Sequence, residues 1–161
     1  MVERVTSGTR DGLLVGVNYY PDPEMSNLRF AVADATEMYD VLLDSPYDFA
    51  RNRLILLKSI NAQTNEALRR NILRRLYDVA HNGQAGELLL FYYAGHGISI
   101  NGVPYLCPAD VERNLLRETS IPLSQIREIF SQSRASIKLM ILDLLHKCAI
   151  IGTWNTKRSN I

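Results

Sequence analysis

Four short apolar runs, separated by segments with helical periodicity, constrain the fold of this chain most strongly. Each run is mostly apolar and lacks regular alternation, which is typical of strands that are buried on both faces of a parallel sheet. Strands that alternate with helices predict an α/β fold, with helices on both faces of a mainly parallel sheet. The four predicted strands cover residues 12–18, 53–58, 87–94 and 137–143.

The segments between these runs predict three helices and one hairpin. Apolar residues at helical spacing indicate a helix over 28–42 and a second helix that Thr64 caps and that ends near Asn82-Gly83. Pro122 is suited to the first turn of a third helix. Asn101-Gly102, at the middle of an alternating stretch, predicts a two-residue hairpin turn.

Right-handed crossovers would bring the carboxyl ends of all four strands to one edge of the sheet. Ligands bind at this edge in open α/β sheets. We therefore expect Asn18, His96 and the segment 143–146 to converge there.

Composition narrows the function without defining it. The chain has 161 residues, 47 % of them apolar and 22 % charged, which predicts one globular domain over 1–161. A net charge of +1 gives no reason to expect nucleic acid or an anionic membrane as a partner. The first residues lack the apolar run of a signal peptide, and no apolar run approaches the ~20 residues of a membrane span. No glycine-rich phosphate loop follows the first predicted strand, so nucleotide binding has little support. Two cysteines, Cys107 and Cys148, are too few for a disulfide framework and too far apart for a zinc knuckle, so we expect a cytoplasmic protein.

His96 lies between two glycines, directly after the third predicted strand. Glycines here allow a sharp turn and a close approach of substrate to the main chain. His96 is a candidate general base and the Gly97 N–H a candidate oxyanion donor. The alternative is a histidine that satisfies backbone groups at a strand end.

Other polar residues permit two interpretations each. Asp143 ends the fourth strand and could bind a metal, orient a base or hold a basic substrate side chain, or it could cap the segment after the strand. Asp34 interrupts the apolar face of the first helix and is a solvated position or a site residue. Cys107 is predicted to be a small buried apolar residue, and Cys148 is a weak nucleophile candidate.

Six segments, taken together and in order, resemble the caspase and metacaspase superfamily of cysteine peptidases. The likeness is greatest to the bacterial metacaspase-like (orthocaspase) branch and extends over about 12–146, with 147–161 as an atypical tail. The segments are 13–22 (LLVGVNYYPD), 27–35 (NLRFAVADA), 89–97 (LLFYYAGHG), 104–110 (PYLCPAD), 121–126 (IPLSQI) and 141–143 (ILD).

This resemblance implies a caspase-like three-layer sandwich and a role for each matching residue. His96 takes the position of the catalytic histidine, and Gly97 that of an oxyanion-hole N–H. Asp34 and Asp143 match the acidic residues of the S1 pocket. Such a pocket would select Arg or Lys at P1, the substrate residue before the scissile bond. The small residues that match positions beside the two acids are Ala31 and Ala94.

The chain departs from the family at the nucleophile. The family reads Asp-x-Cys-His-Ser-Gly, whereas residues 143–148 read DLLHKC, so the nucleophile position is Leu145. Leucine has no lone pair with which to attack a carbonyl, and Cys148 lies roughly 10 Å further along an extended chain. The family also continues through further strands, so we expect the sheet to stop at the fourth strand and expose it as an apolar edge.

These observations leave two leading functions. One is a cysteine endopeptidase domain by descent, inactive as written because of Leu145 and directed at peptide or protein substrates. The other is a catalytically dead module that binds a partner protein through the open edge or the unused pocket. A third interpretation, an unrelated α/β domain binding a small ligand at the sheet edge, has less support. No cofactor or metal is predicted, although many metacaspases are activated by calcium and Asp110 lies near where such a site would be.

Overall fold

The computed structural model describes residues 9–44, 46–47, 49–81 and 87–145, together with the backbone of 149–150. The helices are α1 (Ala31–Leu43), α2 (Arg69–His81), α3 (Leu116–Thr119) and α4 (Leu123–Gln132). The strands are β1 (Arg10–Val17), β2 (Leu54–Ser59), β3 (Leu88–Gly95), β4 (Gly97–Ile100), β5 (Val103–Leu106), β6 (Ile121–Pro122), β7 (Ile137–Leu144) and β8 (Ala149–Ile150).

The main sheet has the strand order β2-β1-β3-β7-β8. Its first four strands are parallel, and all four match the predicted strands to within two residues at each end. Gly16 pairs with Ala94, which pairs with Asp143, so β1, β3 and β7 end level with one another. The predicted convergence at one edge is confirmed for the described residues.

Helices cover both faces of this sheet, as predicted. On one face α1 packs over Leu14, Tyr92 and Ala94 of the sheet. On the other, α2 and α4 pack over alternating residues such as Phe91 and Tyr93. Side chains of consecutive strand residues point to opposite faces, so a continuous apolar strand contributes to both layers of the core.

Two helices begin later than the sequence pattern predicts. Residue 28 is not helical, because the Leu28 N–H donates to the Asn18 carbonyl at 2.8 Å, and α1 begins only at Ala31. Thr64 does not cap α2. Its N–H bonds to the Asn61 side chain, and the first N–H of α2 is capped from a distant loop by Asp110.

A small antiparallel sheet, β4-β5-β6, stands beside the main one. Its hairpin turn is the predicted Asn101-Gly102, and both residues have positive φ, 52° and 80°. This is the backbone that a two-residue turn of this kind requires. Pro122 ends β6 and directly precedes α4, rather than lying in its first turn.

The fourth parallel strand is the last parallel strand, as predicted, but it is not open along its whole length. The short strand β8 pairs antiparallel with β7, with Ala149 opposite Leu142 and Ile150 opposite Ile141. Two further predictions, the stop at Asn82-Gly83 and the atypical tail beyond β8, lie outside the described residues. Among the described residues, every helix is too short or too polar to span a lipid bilayer.

Candidate active site

The ends of β3 and β7 bring the predicted histidine and nucleophile positions together. Gly95, the last residue of β3, pairs with Leu144, the last residue of β7. Neighbouring strands lie about 4.8 Å apart. His96 and Leu145 therefore leave the sheet side by side.

The imidazole of His96 is held by the loop between β1 and α1. The residue is 8 % exposed, and its Nε2 lies 2.8 Å from the Ser26 carbonyl oxygen and 3.4 Å from the Ser26 hydroxyl. A carbonyl only accepts hydrogen bonds, so this contact assigns the proton to Nε2. Nδ1 is then the nitrogen that can accept a proton in neutral His96.

Two tyrosine hydroxyls meet the backbone of His96. The Tyr20 hydroxyl accepts the His96 N–H at 2.9 Å. The Tyr93 hydroxyl, which has a single proton to donate, lies 2.5 Å from the Cys107 carbonyl and 3.1 Å from the His96 carbonyl. Burial raises the pKa of both phenols above the ordinary value, so both remain neutral donors. The space beside Gly95 is filled by these groups. A Cβ there would lie 2.7 Å from the Tyr93 hydroxyl and 3.0 Å from that of Tyr20.

Gly97 has a backbone N–H that points away from the hairpin. The two-residue turn makes Ile100 and Val103 a hydrogen-bonded pair, and such pairs alternate along antiparallel strands. Gly97 and Leu106 consequently form a pair without ladder hydrogen bonds. The N–H of Gly97 faces outward from the edge strand, where it can donate to a ligand oxygen.

A small pocket lies beside His96 and contains all four residues predicted to line an S1 site. The cavity measures ≈ 70 Å³, far below the roughly 300–1,000 Å³ of small-molecule sites, so it suits a single side chain. Its lining consists of Leu28, Arg29, Phe30, Ala31, Asp34, Ala94, Gly95, Asp143 and Leu145.

Two carboxylates, those of Asp34 and Asp143, and one cationic residue, Arg29, line this pocket. Burial raises the pKa of Asp34, and the negative charges of Asp143 and Glu37 raise it further. Asp143 accepts a long hydrogen bond, 3.4 Å, from the hydroxyl of Tyr92 in β3. Within the described ranges, neither Asp34 nor Asp143 forms an ion pair with Lys, Arg or His. A cationic side chain in the pocket would relieve the repulsion between the two carboxylates.

No described thiol stands at the nucleophile position. Leu145 follows β7 in a turn and is 57 % exposed at the edge of the acidic pocket. Cys107 is fully buried, as predicted, and burial raises the pKa of its thiol to about 11. A thiol with so high a pKa carries almost no thiolate at neutral pH. Cys148 and His146 lie outside the described residues.

Asp110, which lies near the position of a possible calcium site, caps a helix in this structure. Its carboxylate accepts the backbone N–H of Arg69 at 2.7 Å and so caps α2. Asp22 and Glu24 lie across an open cleft from Asp110. A search of the described residues finds no group of three or more His, Cys, Asp or Glu placed to hold a metal ion.

Sequence reasoning missed the groups that hold His96. Tyr20 and Ser26 each meet it from a point more than 60 residues earlier in the chain, and neither stands in a pattern that predicts the contact. Asn18 was expected only to lie at the edge of the sheet. Its side-chain oxygen in fact caps α1 by accepting the Val32 N–H at 3.1 Å.

Comparison with known proteins identifies the family to which this arrangement belongs. The metacaspase, peptidase C14 domain family matches residues 10–150, and the chain therefore belongs to that family of caspase-like proteases. Metacaspase-4 of Arabidopsis thaliana is 30% identical over 89 residues, which cover 55% of this chain and 21% of the relative. Metacaspase-8 of the same plant is 27% identical over 152 residues, which cover 88% of this chain and 38% of the relative.

Two further similarities extend the comparison. Metacaspase-1A of Aspergillus terreus is 29% identical over 92 residues, covering 56% of this chain and 22% of the relative. A Geobacter sulfurreducens protein of known structure aligns with a TM-score of 0.59 at 17% identity, over 83% of this chain and 48% of that one. The chain thus spans well under half the length of each curated relative described here. A special closeness to the bacterial branch stays a prediction.

Proposed function

We propose that this chain is a metacaspase-type cysteine endopeptidase domain that keeps its histidine and an S1 pocket for Arg or Lys but lacks the nucleophile. The observation that carries the proposal is one pocket that contains Asp34, Asp143 and the nucleophile position, Leu145. The pocket lies at the strand ends that also present His96.

The proposed substrate class follows from charge and size. A cavity of ≈ 70 Å³ accepts one side chain, and Ala31 and Ala94 leave room between the carboxylates. Carboxylates bind a guanidinium or ammonium through charge-assisted hydrogen bonds. An aspartate at P1 would instead add a third negative charge to a pocket that already raises the pKa of Asp34.

The proposed chemistry assigns one step to each group. Nδ1 of His96 would take the proton from a thiol at position 145, and the thiolate would attack the scissile carbonyl carbon. The Gly97 N–H would donate to the resulting oxyanion. The C–N bond would then break, with the imidazolium giving its proton to the leaving amine. Water deprotonated by His96 would hydrolyse the resulting thioester and release the thiol. Leu145 offers no proton and no lone pair, so the first step cannot begin in this chain.

Turnover of fluorogenic peptides with Arg, Lys or Asp at P1 tests the proposal, on the native chain and on Leu145→Cys, with and without calcium. We expect no turnover by the native chain, and cleavage after Arg and Lys but not Asp by the variant. Cleavage by the native chain, abolished by Cys148→Ala, would contradict the assignment of the nucleophile position.

A second candidate function is a binding module without catalysis. The observation that favours it is an exposed leucine beside an intact acidic pocket, which can hold a basic side chain of a partner protein without cleaving it. Binding of an Arg peptide by the native chain, with no turnover by Leu145→Cys, would favour this function. For either function we propose a single domain and a protein or peptide as the partner, in a cytoplasmic setting.

A further inference from the structure

His96 is held at its ring and at its backbone by the same segment, the loop between β1 and α1. The Ser26 carbonyl accepts the ring Nε2–H at 2.8 Å, and the Tyr20 hydroxyl accepts the backbone N–H at 2.9 Å. These contacts join residues that are 70 and 76 positions apart. The orientation of the imidazole therefore depends on where this loop lies.

Tyr20 contacts His96 both through its aromatic ring and through its hydroxyl. Its side chain is 3 % exposed, and the ring centroid lies 4.8 Å from that of His96 at an interplanar angle of 49°. Its hydroxyl accepts from the His96 N–H and donates to the Cys107 carbonyl at 3.2 Å. Only a hydroxyl can do both, so phenylalanine would fill the space but leave the His96 N–H without an acceptor.

The loop that carries Tyr20 is itself braced. The Tyr20 N–H donates to the Asn27 side chain at 2.8 Å, and the Asn18 carbonyl accepts the Leu28 N–H at 2.8 Å. Pro21 and Pro23 restrict the backbone φ angles between these points. The Tyr20 hydroxyl and the Ser26 carbonyl are thereby held at a set spacing.

We propose that Tyr20 is a positioning residue for His96, whose hydroxyl fixes the backbone from which the imidazole extends and so keeps Nε2 on Ser26 and Nδ1 free. The contacts stand independently of catalysis. Only the effect on turnover rests on the proposed function above.

The alternative is that Tyr20 fills space in the core and its hydroxyl has no bearing on the ring. Tyr20→Phe separates the two cases, since it removes one oxygen and keeps the aromatic ring. Tyr19→Phe is the matched control, because it makes the same change at the neighbouring, half-buried residue.

Nuclear magnetic resonance of the His96 ring and amide tests the positioning role without any need for activity. In the native chain we expect the Nε2–H tautomer alone. Tyr20→Phe should yield a mixture of tautomers and accelerate hydrogen exchange of the His96 amide by about tenfold or more. Tyr19→Phe should change neither. An unchanged tautomer and amide exchange rate in folded Tyr20→Phe would overturn the proposal.

A measurement on the native chain covers the case in which Tyr20→Phe does not fold. We expect a slowly exchanging Tyr20 hydroxyl proton with a nuclear Overhauser contact to the His96 amide. A hydroxyl proton that exchanges rapidly with water, or that shows no such contact, would contradict the proposal.

Kinetics add a further test in the Leu145→Cys background. A displaced base lowers the rate of the chemical step more than it weakens substrate binding. We expect Tyr20→Phe to lower kcat about tenfold with little change in KM. A rise in KM at constant kcat would contradict the positioning role. If Leu145→Cys shows no turnover, the proposed function fails, while the resonance measurements still decide the role of Tyr20.

Discussion

The ends of β3 and β7 lie side by side but differ in almost every physical respect. At the end of β3, His96 is 8 % exposed, and hydrogen bonds hold its ring and both polar groups of its backbone. At the end of β7, Leu145 is 57 % exposed in a turn. The first end is part of the core, whereas the second is at the surface.

Because of this difference, substitutions at the two strand ends are expected to affect folding stability unequally. A substitution near His96 disturbs buried hydroxyls and packed backbone, and it therefore costs folding free energy. A substitution at position 145 changes a solvated side chain and has little effect on the fold. On the proposed function, loss of the nucleophile would thus leave the histidine and the acidic pocket in place.

The largest expected loss of folding stability comes from a substitution at the buried end of β3. Gly95→Ala would place a Cβ 2.7 Å from the Tyr93 hydroxyl and 3.0 Å from the Tyr20 hydroxyl, and both hydroxyls are fixed by hydrogen bonds. Overpacking of this kind lowers the free energy of unfolding by about 1–3 kcal/mol. Urea denaturation of the native chain and the variant measures the change.

The matched control is Leu145→Ala at the exposed end. Its free energy of unfolding should stay within about 0.5 kcal/mol of the native value. Equal losses in the two variants would show that the two strand ends are packed alike, and the comparison would fail.

A smaller change in stability is expected from a substitution in the acidic pocket, and it depends on pH. The pKa of Asp34 is raised in the folded protein by burial and by Asp143. The folded state therefore holds this proton to higher pH than the unfolded chain does, and the contribution of Asp34 to stability falls as pH rises through that range. Asp34→Asn removes this loss, so its stability relative to the native chain should increase between about pH 3 and pH 6.

The expected size is a few tenths of a kcal/mol, because Asp34 is only partly buried and solvent screens its neighbours. Urea denaturation at both ends of the range measures it, with Asp40→Asn as a control at an exposed position of α1. A relative stability that decreases with rising pH would show that a cation, not a second carboxylate, dominates the surroundings of Asp34.

The sequence predicted those parts of the molecule that depend on local pattern. Continuous apolar runs were sufficient for the four parallel strands. β1 and β3 are buried on both faces and show no alternation, whereas β2 and β7 are only partly buried. Asn101-Gly102 was sufficient for the hairpin turn, because both residues tolerate positive φ. The pocket residues came from resemblance to the family, and β3 and β7 bring two of them, Ala94 and Asp143, into register.

Long-range contacts account for the features that could not be predicted. The starts of α1 and α2 depend on Asn18 and Asp110, which lie outside those helices and cap them from elsewhere in the chain. The contact between the Tyr20 hydroxyl and His96 depends on the pairing of β1 with β3. No local pattern distinguishes Tyr20 from Tyr19, its neighbour in the sequence. The pairing of β8 with β7 likewise has no local signal.

The central claim is that histidine and acidic pocket remain assembled around an absent nucleophile. Covalent labelling with a peptide chloromethyl ketone ending in Arg tests it most directly, on the native chain, Leu145→Cys and Leu145→Cys with His96→Ala, read by intact mass and peptide mapping. We predict a single adduct at position 145 in Leu145→Cys, at least about tenfold slower labelling without His96, and no adduct on the native chain. Labelling of the native chain at Cys148, or equal rates with and without His96, would contradict the account.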